Sequence, residues 1–249
     1  MSETDAITLN REAFKTDVRL IALKIPAKSC MEYLNTFKDN LYMRPKMKKI
    51  YEAPDDPQKR LLLLSEKFQD LNLSELPNEL KEFNTKYNGE AQEYILQLGY
   101  EHYAVDEILK RLLPNLAEVP SAFEQAGHLA HLNLRDEALP YKKLIAQVLL
   151  DKNPAIKTVV NKIGNIETEF RTFPMELLAG EDNYEVTLRE SNARFTFNFA
   201  QVYWNSRLQM EHSRLIEKIQ STAGYRTITI SNKVVADMMA GVGPFAVPL

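Results

Sequence analysis

The stretch that decides the fold class is Lys233-Val-Val-Ala-Asp-Met-Met-Ala-Gly-Val-Gly-Pro-Phe-Ala-Val-Pro-Leu249. It holds a short apolar run, then Asp237, then Gly241-x-Gly243, and then what its pattern predicts to be the first turn of a helix. A strand, a glycine turn and a helix in this order let bare backbone come close to a nucleoside cofactor. The stretch therefore predicts the first strand and turn of a doubly wound, Rossmann-like domain.

The bulk composition is ordinary for a globular protein of one to two domains. The 249 residues are 45% hydrophobic and 26% charged, with a net charge of −3. The single cysteine, Cys30, excludes a disulfide framework and a cysteine metal cluster. The acidic N-terminus has no apolar segment, which argues against a secretory signal or an Arg-rich transit peptide. We expect no membrane association, because purely apolar runs such as Leu61–Leu64 are no longer than four residues and are too short to cross a membrane.

Residues 38–60 carry a local excess of positive charge, with seven basic residues against four acidic ones. Such a patch can bind a polyanion although the whole chain is weakly acidic. Lys46, Lys48 and Lys49 are the candidates for these contacts. A solvated loop with extra lysines is the alternative explanation.

The apolar pattern divides the chain into three predicted domains, so we expect a multidomain protein with α/β and α+β parts. Residues 1–116 form a small mixed unit, with strands at 18–25, 48–52, 60–67 and 93–100, helices at 27–37 and 105–113, and a long loop at 70–90. Residues 117–200 form a middle α+β domain, with strands at 127–134 and 156–163, a helix at 141–150, and a hairpin of 184–189 and 194–199. Residues 201–249 begin the Rossmann-like domain.

A further helix is predicted after Asn205 or Ser206, either of which can serve as its N-cap. Its apolar stripe consists of Leu208, Leu215, Ile216 and Ile219. By helical spacing Glu211 and His212 fall inside this stripe, where titratable groups are costly to bury without partners. The alternative explanation is structural: Glu211 pairs with Arg207 or Arg214, and His212 caps an edge of the core.

The spacing Asp237-x-x-x-Gly241-x-Gly243 does not choose the cofactor. It is the spacing that many methyltransferases use for S-adenosylmethionine, where the acid at the strand end can hydrogen-bond polar groups of the cofactor. A dinucleotide fingerprint prefers a further glycine three residues after the second, and it tolerates the alanine found at position 246. A buried strand with an ordinary glycine turn also remains open.

Several separated motifs, in the right order, carry a resemblance to a known family. The runs are Val202-Tyr-Trp-Asn-Ser-Arg-Leu-Gln-Met-Glu-His-Ser-Arg-Leu215 and Val235-Ala-Asp-Met-Met-Ala-Gly-Val-Gly-Pro-Phe245, with Gly127-His-Leu-Ala-His-Leu-Asn-Leu-Arg135, Glu169-Phe-Arg-Thr172 and Leu178-Ala-Gly-Glu181 upstream. From about residue 120 onwards the chain closely resembles the archaeal and eukaryotic tRNA (guanine-N1-)-methyltransferases, which methylate guanosine 37 beside the anticodon. Residues 1–115 resemble that family's variable N-terminal domain only loosely.

The resemblance implies three catalytic residues. Glu211 aligns with the general base that removes the guanine N1 proton, and on an apolar helix face we expect its pKa to be raised. Arg171 aligns with an arginine that could hydrogen-bond guanine O6, where negative charge accumulates. Tyr203 aligns with a residue that positions the target base. An exposed strand arginine and a core aromatic beside Trp204 are the respective alternatives for the last two.

The resemblance also implies the cofactor and the partner. Asp237, Gly241, Gly243 and His212 align with positions that contact S-adenosylmethionine, and Arg207 is a further candidate for cofactor or substrate. No metal is implied. The partner is tRNA, whose elbow the family's N-terminal domain touches. Further candidates for phosphate contact are Arg135, Lys142 and Lys143.

Two parts of the family's site would lie beyond Leu249: the acid that holds the cofactor ribose and an Asn-Pro-Pro segment. We therefore expect the chain to be a fragment that is inactive and poorly soluble by itself. A non-catalytic RNA-binding protein and a methyltransferase for another substrate are the competing hypotheses. We expect a monomer in the cytoplasm, with the nucleus and mitochondrial matrix as alternative compartments.

Overall fold

The computed structural model describes residues 8–163, 174–221, 237–238 and 240–248. It contains two compact units, one of residues Leu9–Ile108 and the other from Leu109 onwards. The expected division at 116 and 200 stays a prediction. Among the described residues, no helix is both long and apolar enough to cross a membrane.

The first unit is built on an antiparallel sheet. Its strands are β1 (Thr16–Pro26), β2 (Tyr51–Glu52), β3 (Lys59–Leu63) and β4 (Glu90–Leu98), in the order β2-β3-β1-β4. The central strand β1 is buried on both faces, since Leu20 and Ala22 enter one apolar cluster while Ile21 and Leu23 enter another. The prediction of strands in these four regions is confirmed, although β2 and β3 are shorter than predicted.

Helices α1 (Cys30–Thr36) and α2 (Asn78–Lys86) contribute Tyr33 and Leu80 to the second of these clusters. The third helix, α3 (Val105–Leu112), follows β4. The prediction of a long loop at 70–90 is wrong, because α2 lies in it. Its buried positions are Leu80 and the polar Asn84, so an apolar period was hard to recognise.

The second unit contains a mixed sheet of β5 (Glu124–Ala126), β6 (Leu129–Leu132), β7 (Thr158–Lys162) and β8 (Met175–Gly180), in that order. β6 and β7 pair in parallel, and the crossover between them is α4 (Lys142–Lys152). The helix buries Leu144, Ile145, Ala146, Val148 and Leu149 and packs on β7 and β8. The predicted strand–helix–strand order of this region is confirmed.

A hairpin of β9 (Glu185–Glu190) and β10 (Ala193–Asn198) follows the sheet. Its two-residue turn has positive φ at both Ser191 (47°) and Asn192 (63°), the geometry that suits the twist of a tight hairpin. The predicted hairpin is therefore confirmed, and its inner face buries Val186 and Phe195 against Trp204.

Among the residues that the structure describes, the last helix is α5 (Gln209–Ser221), preceded by a 3₁₀ turn, Ser206–Leu208. The Asn205 side-chain oxygen accepts a hydrogen bond from the Arg207 backbone N–H at 3.0 Å, so the predicted cap is confirmed. The mixed α/β class with several sheets is likewise confirmed. Of the strand predicted at 234–238 before the glycine turn, residues 234–236 lie outside the described residues and 237–238 are not in a strand. The Rossmann-like assignment stays a prediction.

Candidate functional site

Helix α5 turns a different face to the protein from the one its sequence suggests. His212 and Ile216, four residues apart, are buried, whereas Leu208 and Ile219 are 39% and 51% exposed. The predicted stripe is therefore only partly correct. Glu211 lies outside the buried face, and the prediction that it lies inside is wrong.

Glu211 is held by a neighbour on its own helix. Arg214 donates two hydrogen bonds to its carboxylate, from Nε to Oε2 at 2.7 Å and from Nη2 to Oε1 at 2.5 Å. The Arg214 guanidinium lowers the pKa of Glu211 below its ordinary value, because both hydrogen bonds favour the ionised form. The expectation of a raised pKa is wrong for this arrangement. The pairing with Arg214, the alternative explanation, is confirmed.

His212 is buried against the hairpin. Its Nδ1 lies 2.5 Å from Glu190 Oε1, and the two side chains are only 8% and 4% exposed. In the next position along the helix, Ser213 Oγ lies 3.0 Å from Ser191 Oγ. Sequence reasoning missed Glu190, since nothing local links an acid at a strand end to a histidine 22 residues later. The only signal was the need of a buried histidine for a partner.

The glycine turn lies close to the same histidine. The ring of Phe245 meets the His212 ring edge to face at 5.1 Å between centroids, and Val242 packs on the cluster that contains Trp204. Both glycines have positive φ, 53° at Gly241 and 84° at Gly243. A Cβ added at Gly243 would lie 2.9 Å from the Val247 side chain. The turn therefore needs glycine for its backbone and presents a surface without side chains at these positions.

The segment before α5 is fastened to strand β5. Ser206 Oγ donates to the Gln125 carbonyl at 2.8 Å, and Arg207 Nη2 lies 2.9 Å from Glu124 Oε1. Tyr203 is 41% exposed, whereas Trp204 is buried. The alternative explanation for Tyr203, that it is a core aromatic residue, is therefore wrong. The buried aromatic residue is its neighbour Trp204.

The other predicted site residues are spread over the chain. Asp237 is half-buried, and Arg171 lies outside the described residues. Arg135 pairs with Glu118 at 2.6 Å, and the half-buried Lys142 pairs with Glu176 at 2.7 Å, so both cations already have carboxylate partners. The remaining candidates, Lys143 in the second unit and Lys46, Lys48 and Lys49 in the first, are exposed.

No group of three potential metal ligands occurs in the parts of the chain that the structure describes. Tyr203, Arg207 and Glu211 all occupy exposed positions in the first turn of α5 or in the segment that leads into it. His212 and the glycine turn meet on its buried side. The start of α5 therefore presents a carboxylate and an aromatic ring to solvent, while Phe245 of the glycine turn packs on the buried His212.

Comparison with known proteins gives consistent similarities. The family model of the TYW2 N-terminal domain matches residues 105–183. A tRNA (guanine(37)-N(1))-methyltransferase 1 of Phaeodactylum tricornutum is 46% identical over 244 residues, which cover 96% of this chain and 54% of the relative. The tRNA (guanine(37)-N(1))-methyltransferase of Phytophthora infestans is 42% identical over 248 residues, with 97% and 58% covered. The chain thus spans about half the length of the curated relatives it matches.

Among solved structures, the complex of aTrm5 and tRNALeu superposes with a TM-score of 0.59 at 23% identity, covering 91% of this chain and 62% of that one. This likeness supports the mixed α/β fold. The family resemblance of the motifs is confirmed, and the chain is similar along nearly its whole length to the tRNA (guanine(37)-N(1))-methyltransferases.

Proposed function

We propose that the protein containing this chain transfers a methyl group from S-adenosylmethionine to N1 of guanosine 37 in tRNA. The observation that carries the proposal is the two-sided arrangement of α5. Its exposed side presents the carboxylate of Glu211, and its buried side brings His212 against Phe245 of the glycine turn. Tyr203 and Arg207 are exposed in the segment that leads into the helix. The names of the relatives, at 42–46% identity, supply the substrate.

The glycine turn fits a nucleoside cofactor, because Gly241 and Gly243 leave no Cβ between the backbone and a ligand. Asp237 and His212 are the side chains that would complete the cofactor site, and Arg207 is a further candidate. S-adenosylmethionine supplies an electrophilic methyl group on a sulfonium. The three-domain layout and the Rossmann-like strand before the turn are part of this proposal.

Guanine N1 carries a proton that must leave before the methyl group arrives. Glu211 would accept that proton, and the electron pair of the N1–H bond would form the bond to the methyl carbon, while the bond from that carbon to the sulfonium sulfur breaks and leaves its electron pair on a neutral thioether. A carboxylate paired with Arg214 is a weak base, since its pKa is lowered. We therefore infer that bound guanine displaces Arg214 and removes water from Glu211, which raises the basicity of the carboxylate. Arg171 would stabilise the charge on guanine O6, and Tyr203 would stack on the base.

tRNA binding would use exposed cations rather than those already paired with carboxylates. Lys46, Lys48, Lys49 and Lys143 are exposed and fit that role. Arg135 and Lys142 would first have to leave Glu118 and Glu176. We further propose a monomer that acts in the cytoplasm, with the nucleus and mitochondrial matrix as alternative compartments.

The test is single-turnover methylation by the longest polypeptide that contains this chain, on tRNA carrying guanosine or adenosine at position 37. Methyl transfer should require the guanosine. Glu211→Gln should slow it by about 100-fold or more, with tRNA affinity unchanged, because the amide cannot accept the proton. Glu217→Gln, another exposed acid on α5, is the matched control and should leave the rate unchanged.

Two outcomes would contradict the proposal. An unchanged rate in Glu211→Gln would remove Glu211 from the role of base. A wild-type protein that binds tRNA tightly but transfers no methyl group would instead support a non-catalytic RNA-binding function.

A further inference from the structure

Glu190 and His212 form a buried pair of titratable side chains, and Glu190 has no role in the function proposed above. The Nδ1–Oε1 distance of 2.5 Å joins the end of strand β9 to the first turns of helix α5. Burying a carboxylate and an imidazole costs free energy unless each satisfies the other. The pair therefore holds the His212 ring against the hairpin.

The contact favours one tautomer of the ring. Because an ionised carboxylate only accepts hydrogen bonds, pairing with an ionised Glu190 places the shared proton on Nδ1. The ring then cannot flip without breaking this bond, and Nε2 is held on the side of the ring away from the hairpin. The neighbouring contact between Ser191 and Ser213, at 3.0 Å, holds the hairpin turn and the helix together beside the pair.

The His212 ring contacts two aromatic side chains. Trp204 approaches it with 6.2 Å between centroids and an interplanar angle of 62°. Phe245, two residues after Gly243, approaches at 5.1 Å and 84°. A rotation of the imidazole would therefore disturb the packing of Phe245 and, through it, the turn that carries both glycines.

We propose that Glu190 is a positioning residue for the cofactor site: it orients His212, and His212 in turn holds the glycine turn in place. The role in cofactor binding rests on the proposed function, whereas the orientation of the His212 ring by Glu190 is independent of it. The effect should appear in the affinity for S-adenosylmethionine rather than in the rate of methyl transfer at saturating cofactor, since Glu190 touches neither reacting group.

The experiment compares Glu190→Ala, Glu190→Asp and Glu190→Gln with Glu185→Ala, the matched control at the exposed opposite end of β9. The first readout is the ¹⁵N chemical shifts of the His212 ring, which report the tautomer. The second is the Kd of S-adenosylmethionine by calorimetry, and the third is the split between KM for the cofactor and kcat, both on the longest polypeptide that contains this chain.

We expect wild type to show a protonated Nδ1. Glu190→Ala should shift the ring toward a tautomer mixture and weaken cofactor binding by about 10-fold, by analogy with the loss seen when an acid that orients a metal-binding histidine is removed. In that variant kcat at saturation should change by less than about 2-fold, as expected for a loss of binding alone. Glu190→Gln retains a side-chain oxygen that can accept a hydrogen bond from His212 Nδ1, so it should keep most of the affinity for S-adenosylmethionine. Glu185→Ala should resemble wild type.

Unchanged ¹⁵N shifts in Glu190→Ala, or an unchanged cofactor Kd, would overturn the positioning role. A fall in kcat with an unchanged KM would overturn it as well. If Glu190→Ala does not fold, Glu190→Asp decides, since it keeps the charge but moves the carboxylate back by one methylene. If wild type binds no S-adenosylmethionine, the proposed function fails, while the ¹⁵N shifts still decide whether Glu190 orients the ring.

Discussion

The replacement Tyr33→Phe tests the core of the first unit. Tyr33 is fully buried, and its hydroxyl donates to Asn84 Oδ1 at 2.9 Å. The Asn84 amide in turn donates to the Gly89 carbonyl at 2.9 Å, so one chain of hydrogen bonds links α1, α2 and the start of β4. Deleting the hydroxyl leaves a buried amide oxygen without this donor, which costs about 1–3 kcal/mol.

Ionisation of Tyr33 makes the free energy of unfolding depend on pH, and the size of this effect can be calculated separately. Burial raises the pKa of Tyr33 from its ordinary value of 10.0 to about 12. The folded state therefore keeps the proton after the unfolded chain has lost it. The contribution of protonated Tyr33 to the free energy of unfolding is fully present below pH 10 and is lost as the pH rises from 10 to 12. Between pH 9 and pH 11 the loss amounts to about 1.3 kcal/mol.

Urea unfolding followed by circular dichroism at pH 9 and pH 11 measures both effects. Tyr33→Phe should be less stable than wild type at pH 9, and the gap should shrink by about 1.3 kcal/mol at pH 11 because phenylalanine does not ionise. Phe37→Leu is the control, since the Phe37 ring stacks on Tyr33 at 5.4 Å between centroids and the variant retains the Tyr33 hydroxyl. Its difference from wild type in the free energy of unfolding should be the same at both pH values. A constant gap between Tyr33→Phe and wild type would refute the reasoning.

Two further predictions concern the candidate site. Arg214→Gln removes the guanidinium that lowers the pKa of Glu211, so a ¹³C NMR titration of the carboxyl carbon should show this pKa rising; an unmoved midpoint would contradict the ion pair. In wild type the stabilising effect of this pair is present above about pH 4.5 and is lost as the pH falls through the lowered pKa. Gly243→Ala places a side chain at φ 84°, which costs about 1 kcal/mol or more. Hydrogen exchange at the Val247 amide, which donates to the Gly243 carbonyl at 3.0 Å, should accelerate about five-fold, and exchange at the wild-type rate would show that the turn tolerates the change.

Local patterns were sufficient for many elements. The alternation of Phe195, Phe197 and Phe199 with polar residues predicts strand β10, because side chains of a strand alternate between faces. The short turn between the hairpin strands is predicted by the residues Ser191-Asn192. The cap at Asn205 is a contact between residues two apart, and such contacts can be read without the rest of the fold.

The missed helix α2 shows where local patterns fail. Asn84 is buried because Tyr33, on another helix, supplies a partner for its side-chain oxygen. From the sequence alone the same residue appears as a polar loop position. A buried polar group is favourable only when its partner is known, and that partner lies 51 residues away in the chain.

Some features of the candidate site could be predicted from the sequence, and others were decided only by the fold. The motif around α5 and the glycine turn could be recognised from residue types and spacing, and so could the family resemblance. Which of two adjacent residues enters the core could not, because positions 211 and 212 differ by only about 100° around a helix. The hairpin carboxylate of Glu190 settles the choice by pairing with His212, and Glu211 is left exposed with Arg214. A helix acquires a buried face from what packs on it, and that contact exists only in the folded chain.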